Sequence, residues 1–181
     1  MSRNEDIQRV LITQEQIREK VAEMGAQITA DYRGEQLLVV SVLKGAAIFM
    51  ADLVRAIELP VEMDFMAVSS YGSSHESSGV VRVIKDLNTP VEGRHVLIAE
   101  DVLDSGLTLN YVVKMLKSRK PKSIEVAAFL VKEGAQKAPV TCRYEGFACP
   151  DEFLVGYGLD YAERYRNLPY VGVLDPAVYR A

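Results

Sequence analysis

Apolar positions along this chain alternate between two spacings. QLLVVSVL (36–43) is an almost unbroken apolar run, the signature of a strand covered on both faces. Before it, QEQIREKVAEMGAQITADYRG (14–34) places Ile17, Val21, Met24 and Ile28 on one helical face, with Thr13 as N-cap and Gly34 as stop. RVLIT (9–13) predicts a short strand in front of that helix. LKGAAIFMADLVRAIELP turns at Gly45 and continues as a helix to Leu59-Pro60, and VEMDFMAV (61–68) is the next strand. VVRVIKDL (80–87) alternates, HVLIA (95–99) is a buried strand, LTLNYVVKMLKSRK (107–120) a helix and SIEVAAFLVK (123–132) a strand. FLVGYGLDYAERYRNLPYVGVLD (153–175) is mostly strand and loop. Strands alternating with helices predict an α/β fold with a central, mostly parallel twisted sheet, flanked by helices and joined by right-handed crossovers.

One segment breaks the pattern. SSYGSSHESSG (69–79) is polar and rich in Ser and Gly, so it predicts a long hairpin with a mobile tip. No repeat or linker divides the chain, and 181 residues at 49% hydrophobic composition suit a single domain spanning 1–181. The net charge of −4 comes without a basic stripe, which argues against nucleic acid as a partner. The charged start MSRNEDIQRV has no apolar core and predicts no signal peptide. AAIFMADLV is too short to span a bilayer and contains Asp52, so no membrane partner is expected. Cys142 and Cys149 form neither a zinc motif nor a Cys-x-x-Cys pair, and they suggest reduced thiols in a cytoplasmic protein. His75 and His95 are too few and too isolated for a zinc site or a Ser-His-Asp triad.

The chemistry concentrates in VLIAEDVLDSGLTL (96–109). In an open parallel sheet, ligands bind beyond the carboxyl ends of strands. Glu100 and Asp101 stand at that end of the HVLIA strand, and DSGLT follows just before a helix. Backbone N–H groups at a helix start, with the Ser105 and Thr108 hydroxyls, make an anion site suited to phosphate. Carboxylates beside a phosphate need other tasks. Accepting hydrogen bonds from a sugar diol is one; holding Mg²⁺ or taking a proton is another. The combination points to a phosphorylated sugar. Neither a P-loop ending in Gly-Lys-Ser/Thr nor a Gly-x-Gly-x-x-Gly pattern is present.

On these residues the chain resembles the type I phosphoribosyltransferases, whose signature for 5-phosphoribosyl 1-diphosphate (PRPP) is similar to VLIAEDVLDSGLTL. LKGAAIF, SSYGSSHESSG, FLVK and PDEFLVGYGLDYAERYRNLPYVGVL narrow the resemblance to the hypoxanthine-guanine branch and extend it from residue 43 to residue 174. Ser105 stands where Thr is common, which keeps a hydroxyl. The resemblance implies purine salvage: a 6-oxopurine displaces pyrophosphate from C1′ of PRPP, giving IMP or GMP, with Mg²⁺ as cofactor. It implies that Glu100 and Asp101 bind the ribose hydroxyls directly or through the metal, and that Asp104 is the acid/base residue near purine N7. Ser105, Gly106, Leu107 and Thr108 would cradle the 5′-phosphate. Lys44, Gly45 and Arg166 would lie at the pyrophosphate, with a cis peptide common in the family at Leu43-Lys44. Ser70 and Tyr71 would close over it as part of a lid at 69–79. Lys132 would face purine O6, Phe153 would stack on the base and the carbonyl of Leu154 would accept from its edge. Asp160 would adjoin the purine site and bind Mg²⁺. The resemblance also implies a small hood built from the N-terminal segment and roughly 150–181, and a homodimer or homotetramer. A xanthine-preferring enzyme, or a regulatory RNA-binding protein that retains the fold, are the alternatives.

Overall fold

The computed structural model describes residues 5–70, 81–132 and 134–180. β1 (Ile7–Ile12) runs into α1 (Gln14–Asp31). Thr13 caps that helix as its sequence predicts: its hydroxyl accepts from the Gln16 N–H at 3.3 Å, and the Gln16 side chain accepts from the Thr13 N–H at 2.8 Å. Two otherwise orphaned amides are satisfied reciprocally. Ile17, Val21, Met24 and Ile28 form the buried face. Gly34, at φ 81°, makes the turn into β2 (Leu37–Val42). α2 (Ala46–Ala56) stops three residues before Leu59. Two effects end it early. Pro60 disfavours helical geometry in the residue before it, and the Glu58 N–H donates to the Thr29 hydroxyl at 2.9 Å, tying this segment to α1.

β3 (Val61–Ser70), β4 (Val81–Lys85), β5 (His95–Leu103), α3 (Leu107–Lys117), β6 (Ser123–Lys132) and β7 (Tyr144–Cys149) follow. The chain then forms β8 (Leu154–Val155), β9 (Val171–Leu174) and α4 (Pro176–Tyr179). The main sheet has the order β4-β3-β2-β5-β6-β7, parallel except for β4 against β3. A second, antiparallel sheet, β1-β9-β8, joins the two ends of the chain. β3 runs through Ser69 and Ser70; the rest of the expected lid, including Tyr71, lies outside the described residues. Two elements went unread in the sequence: β7, where YEGFAC mixes Glu and Gly into a short apolar run, and the four-residue α4.

The period of two along each central strand sorts its side chains onto opposite faces. Leu37, Val39, Leu97, Ala99, Ala127 and Phe129 pack with α1 and α2, around Phe49, Met50 and Leu53. Leu38, Val40, Val96, Ile98, Val126 and Ala128 pack with α3, through Leu109, Val112 and Leu116. Both faces are therefore dry, which is why the middle stretches of these strands, 37–40, 96–99 and 126–131, are apolar on both sides. A third, smaller cluster of Val155, Tyr165, Leu168 and Leu174 holds the second sheet. No helix among the described residues is long and apolar enough to cross a membrane.

The acid most fully enclosed as a residue among those described lies in this framework. Asp64, in β3, is 6% exposed. Its carboxylate accepts from the N–H groups of Phe65 (2.7 Å), Asn88 (2.7 Å) and Thr89 (2.8 Å), with the Lys85 ammonium at 3.5 Å. It thereby ties β3 to the loop that feeds β5. Burial works against its charge, but the amide donors outweigh burial and hold the carboxyl below its ordinary value. Stability from a depressed carboxyl is present above the ordinary carboxylate range and is lost as pH falls through the depressed value. Asp64→Asn must turn an NH₂ group toward N–H donors, so it should lower the unfolding free energy by about 1–3 kcal/mol at pH 7. In urea titrations the gap to wild type should shrink as the pH is taken from 7 toward 3; a gap independent of pH would contradict this account.

Candidate active site

β5 outruns one of its neighbours. β2 pairs with it only as far as Ser41↔Ala99, whereas β6 continues to Leu103↔Val131. Glu100 and Asp101 therefore lie inside the strand, not past its end at Ala99 as the apolar run suggests. Glu100 pairs with Ala128 on one edge, and Asp101 lies between the paired positions 100 and 102, while the edge toward β2 is open. The β2 chain turns away there through a cis Leu43–Lys44 peptide. Gly45 then fills the opening: a Cβ at this position would land on the Asp101 carboxylate. Gly158, at φ 102°, closes from the opposite side, where a Cβ would strike the Gly45 carbonyl. Only residues without a side chain let these three segments meet.

Burial drives the Glu100 carboxyl well above its ordinary value, and the neighbouring Asp101 charge adds to it. Its Oε2 is shut off from solvent and has no hydrogen-bond partner among the described residues. Asp101 is also raised, chiefly by burial, although the Val102 N–H at 2.8 Å and the Arg166 charge pull the other way. The strand ends at Leu103, and Asp104 follows with its side chain half exposed at 51%. Gly106, at φ 73°, turns the chain into α3 without a side-chain cap. The Lys137 N–H braces the turn by donating to the Ser105 carbonyl at 2.9 Å. The first-turn amides, at Leu107 and Thr108, are those a helix cannot satisfy internally; they belong to the segment 105–108 expected to cradle an anion.

Across from this loop, Lys132 ends β6. Its ammonium stands 3.1 Å from Asp104 Oδ2 and 3.3 Å from Asp151 Oδ1, with the side chain 17% exposed. Burial alone would lower its affinity for a proton, but Asp104 and Asp151 outweigh it and hold the ammonium above its ordinary value. A cavity of about 200 Å³ is lined by Asp101, Asp104, Lys132, Phe153, Leu154, Asp160 and Arg166, together with Val102, Glu152 and Leu159. Seven expected site residues thus share one wall. A larger cavity of about 520 Å³, between α1, α2 and residues 157–169, contains none of the carboxylates Glu100, Asp101 and Asp104; size does not mark the site.

Arg166 donates to the Gly158 carbonyl at 2.8 Å and pairs with Asp160 at 2.9 Å. Lys44 reaches Glu163 at 3.0 Å, and Glu163 lies 3.5 Å from Arg166 as well. Glu163 therefore bridges the two expected pyrophosphate cations, a role invisible in a sequence where it is one acid in LDYAERYRN. Its carboxyl lies below the ordinary value, first through the Lys44 hydrogen bond and charge. Val102 was likewise unread, because it lies past the HVLIA run and carries no polar group to mark it. Glu100, Asp101 and Asp160 do not converge into a metal cage: no group of three or more His, Cys, Asp or Glu among the described residues is placed to hold an ion. Asp160 is committed elsewhere, one oxygen to Arg166 and the other to the Glu163 N–H at 2.9 Å.

Residues 11–162 match the model of the phosphoribosyl transferase domain. The chain is 56% identical over 176 residues to the hypoxanthine-guanine phosphoribosyltransferase of Bacillus subtilis, covering 97% of this chain and 98% of that one. It is 55% identical over 181 residues to the enzyme of the same name from Mycobacterium tuberculosis, covering 97% and 90%. This chain belongs to the hypoxanthine-guanine phosphoribosyltransferase family. The crystal structure of a hypoxanthine phosphoribosyltransferase from Staphylococcus aureus superposes with a TM-score of 0.95 at 48% identity, over 97% of this chain and 96% of that one. The parallel sheet and its flanking helices are those of a type I phosphoribosyltransferase. The junction of Gly45, Asp101 and Gly158 fixes where the Asp101 carboxylate stands. Gly45→Ala should displace the Asp101 carboxylate and cost about 10–100-fold in kcat/KM, as misplacement of site groups by about an ångström does. The far-ultraviolet circular dichroism should be unchanged. Full activity in the alanine variant would mean that Asp101 does not need its present position.

Proposed function

We propose that the protein transfers the 5-phosphoribosyl group of PRPP to hypoxanthine or guanine, releasing pyrophosphate and forming IMP or GMP. One observation carries this reading: Lys132 and Asp104 present a donor and an acceptor 3.1 Å apart in one cavity. On a 6-oxopurine, O6 and N7 are neighbours on one edge. O6 accepts and N7–H donates, so the pair on the protein is complementary to that edge. Adenine offers an amine where O6 would be, and Lys132 has donors only. Phe153 and Val102 supply apolar surface for the base in the same cavity, and the Leu154 carbonyl takes the remaining polar edge.

The reaction follows from these assignments. C1′ gains positive charge as the bond to pyrophosphate lengthens, and Asp104 takes the N7 proton as N9 attacks, which keeps the base a good nucleophile. Lys44 and Arg166 stand for the cations that meet the leaving group's charge. Incoming phosphate oxygens compete with Glu163 for both. Ser105 to Thr108 hold the 5′-phosphate at the start of α3. Glu100 and Asp101 hold the ribose hydroxyls.

The residues also fit a divalent cation of the Mg²⁺ type. Such an ion is held by one or two carboxylates plus substrate phosphates, not by an all-protein cage. Adjacent buried carboxylates with an unpartnered Glu100 Oε2 are a donor set of that kind. When bound, Mg²⁺ would neutralise charge gathering on the pyrophosphate. Glu100 and Asp101 would hold it, joined by Asp160 only if Arg166 turned to the phosphate. The same reading includes a cytoplasmic location, consistent with free Cys142 and Cys149. It includes a homodimer or homotetramer, consistent with Leu43 and Ile48 lying 38% and 37% exposed close together in the chain.

Purified protein with PRPP and Mg²⁺ should consume hypoxanthine and guanine and leave adenine, uracil and orotate nearly untouched; preference for xanthine would transfer the chain to the xanthine-using enzymes. Lys132→Ala should lower kcat/KM for hypoxanthine far more than PRPP binding and narrow the gap to adenine, because a buried group left unpaired costs about 1–3 kcal/mol. Asp104→Asn should lower kcat about 10²-fold, the lower end for general acid–base catalysis, with PRPP affinity kept. If Lys132→Ala retains wild-type selectivity, another group recognises the base.

A further inference from the structure

Phe153 has a second aromatic neighbour that no part of the reaction described so far uses. Phe153 is 38% exposed, so much of the side chain lacks packing neighbours. The ring of Tyr179, in α4, lies stacked on it with centroids 4.9 Å apart and planes at 26°. Tyr161 meets the Phe153 ring edge-on at 5.6 Å and 88°. The Arg180 guanidinium sits 5.7 Å from the Tyr179 ring centre and extends the stack outward.

The chain holds Tyr179 there by short connections. The Leu174 N–H donates to the Phe153 carbonyl at 2.9 Å, so the end of β9 is fastened to the residue that carries the platform ring. Asp175 caps α4 through the Ala177 N–H at 2.8 Å, and its own N–H donates to the Asp6 carbonyl at 2.9 Å. Pro176 starts the helix and Val178 packs into the cluster of the second sheet. Tyr179 is therefore delivered by a segment anchored on both chain ends.

Two cavities meet at Phe153. The one of about 200 Å³ holds Asp101 and Asp104. The other, of about 410 Å³, is bordered by Tyr179, Pro176 and Leu174. Phe153, Lys132 and Glu152 border both, and Tyr179 borders only the second. Phe153 is a partition with the acids on one side and Tyr179 on the other. We propose that Tyr179 is a positioning residue: its ring backs Phe153 and fixes the plane on which the purine stacks. The proposal rests on reading Phe153 as the purine platform. A half-exposed Phe would otherwise have to be ordered as the base arrives, and ordering it beforehand removes that cost from purine binding. PRPP, held by residues 100–108 and the Lys44–Arg166 group, gains nothing from the stack.

Steady-state constants for hypoxanthine, guanine and PRPP in wild type, Tyr179→Phe and Tyr179→Leu provide the test. Tyr179→Phe keeps the ring and should match wild type within about twofold. Tyr179→Leu, of similar apolar character but without a π face, should raise KM for both purines about 3–10-fold, the worth of one aromatic pair. KM for PRPP and kcat should stay within about twofold. Equal changes in purine and PRPP constants, no change, or a Phe variant as impaired as the Leu variant would each overturn the proposal. Should Tyr179→Leu fail to fold, Tyr179→Trp substitutes: the natural chain has no Trp, so its emission reports this position alone. Its emission should shift saturably with added IMP, whose binding is confirmed by calorimetry; binding without any shift overturns the proposal. A wild-type protein that uses no 6-oxopurine overturns the proposed function instead, and shows it before any variant is compared.

Discussion

β5 keeps its hydrogen bonds to β6 as far as Leu103↔Val131, while β2 leaves its other edge after Ser41↔Ala99. Everything in the site follows from that unequal pairing. A strand bonded on one edge is rigid enough to hold acids in place, and its free edge gives ligand and backbone access to them. Had β2 continued, Glu100 and Asp101 would sit between two ladders with no space beside them. The early departure of β2 also brings Lys44 and Gly45 to the acids, and through Gly158 it brings in the segment that carries Arg166. The departure of one strand thus gathers residues 44, 101, 158 and 166, which are far apart in the chain.

The charges around that gap are arranged as an exchange. Glu100 and Asp101 are buried so deeply that ionising them is disfavoured without a cation or a set of hydroxyl donors. The cations, by contrast, are already partnered: Lys44 and Arg166 by Glu163, Arg166 by Asp160 and Lys132 by Asp104. Under the proposed function, a highly charged substrate would replace existing ion pairs rather than meet bare charges. Exposed pairs such as Lys44–Glu163 are weak, so they give way readily, while the less exposed Lys132 keeps its orientation through two carboxylates.

Much of this was legible in the sequence, and the exceptions share a cause. The period of two in LLVVSV, the helical face of Ile17 to Ile28 and the Thr13 cap are local signals, and the elements formed accordingly. The acid-rich turn before α3 could be found because its residues are consecutive. The end of β5 was misplaced because charged residues look like the close of an apolar run, and only β6, reached 28 residues later, keeps Glu100 to Leu103 extended. Glu163 and Val102 went unnoticed because their meaning lies in what they touch across the fold. The Lys132–Asp104 distance, too, belongs to two strands side by side and to no spacing along the chain. α4 is too short to show periodicity at all.

The contact between Gly45 and Gly158 has a genetic consequence. Every missense change at a glycine codon adds at least one carbon, so at these two positions no conservative replacement exists. A carbon at 45 strikes the Asp101 carboxylate, and one at 158 strikes the backbone of 45. The first moves the end of a side chain, at a cost to the site's own acid; the second meets main chain, which has less room to give. Among descendants of this gene, drift should therefore rewrite the outer faces of α1 and α3 more freely than these two codons, where most surviving changes should fall at the silent third base.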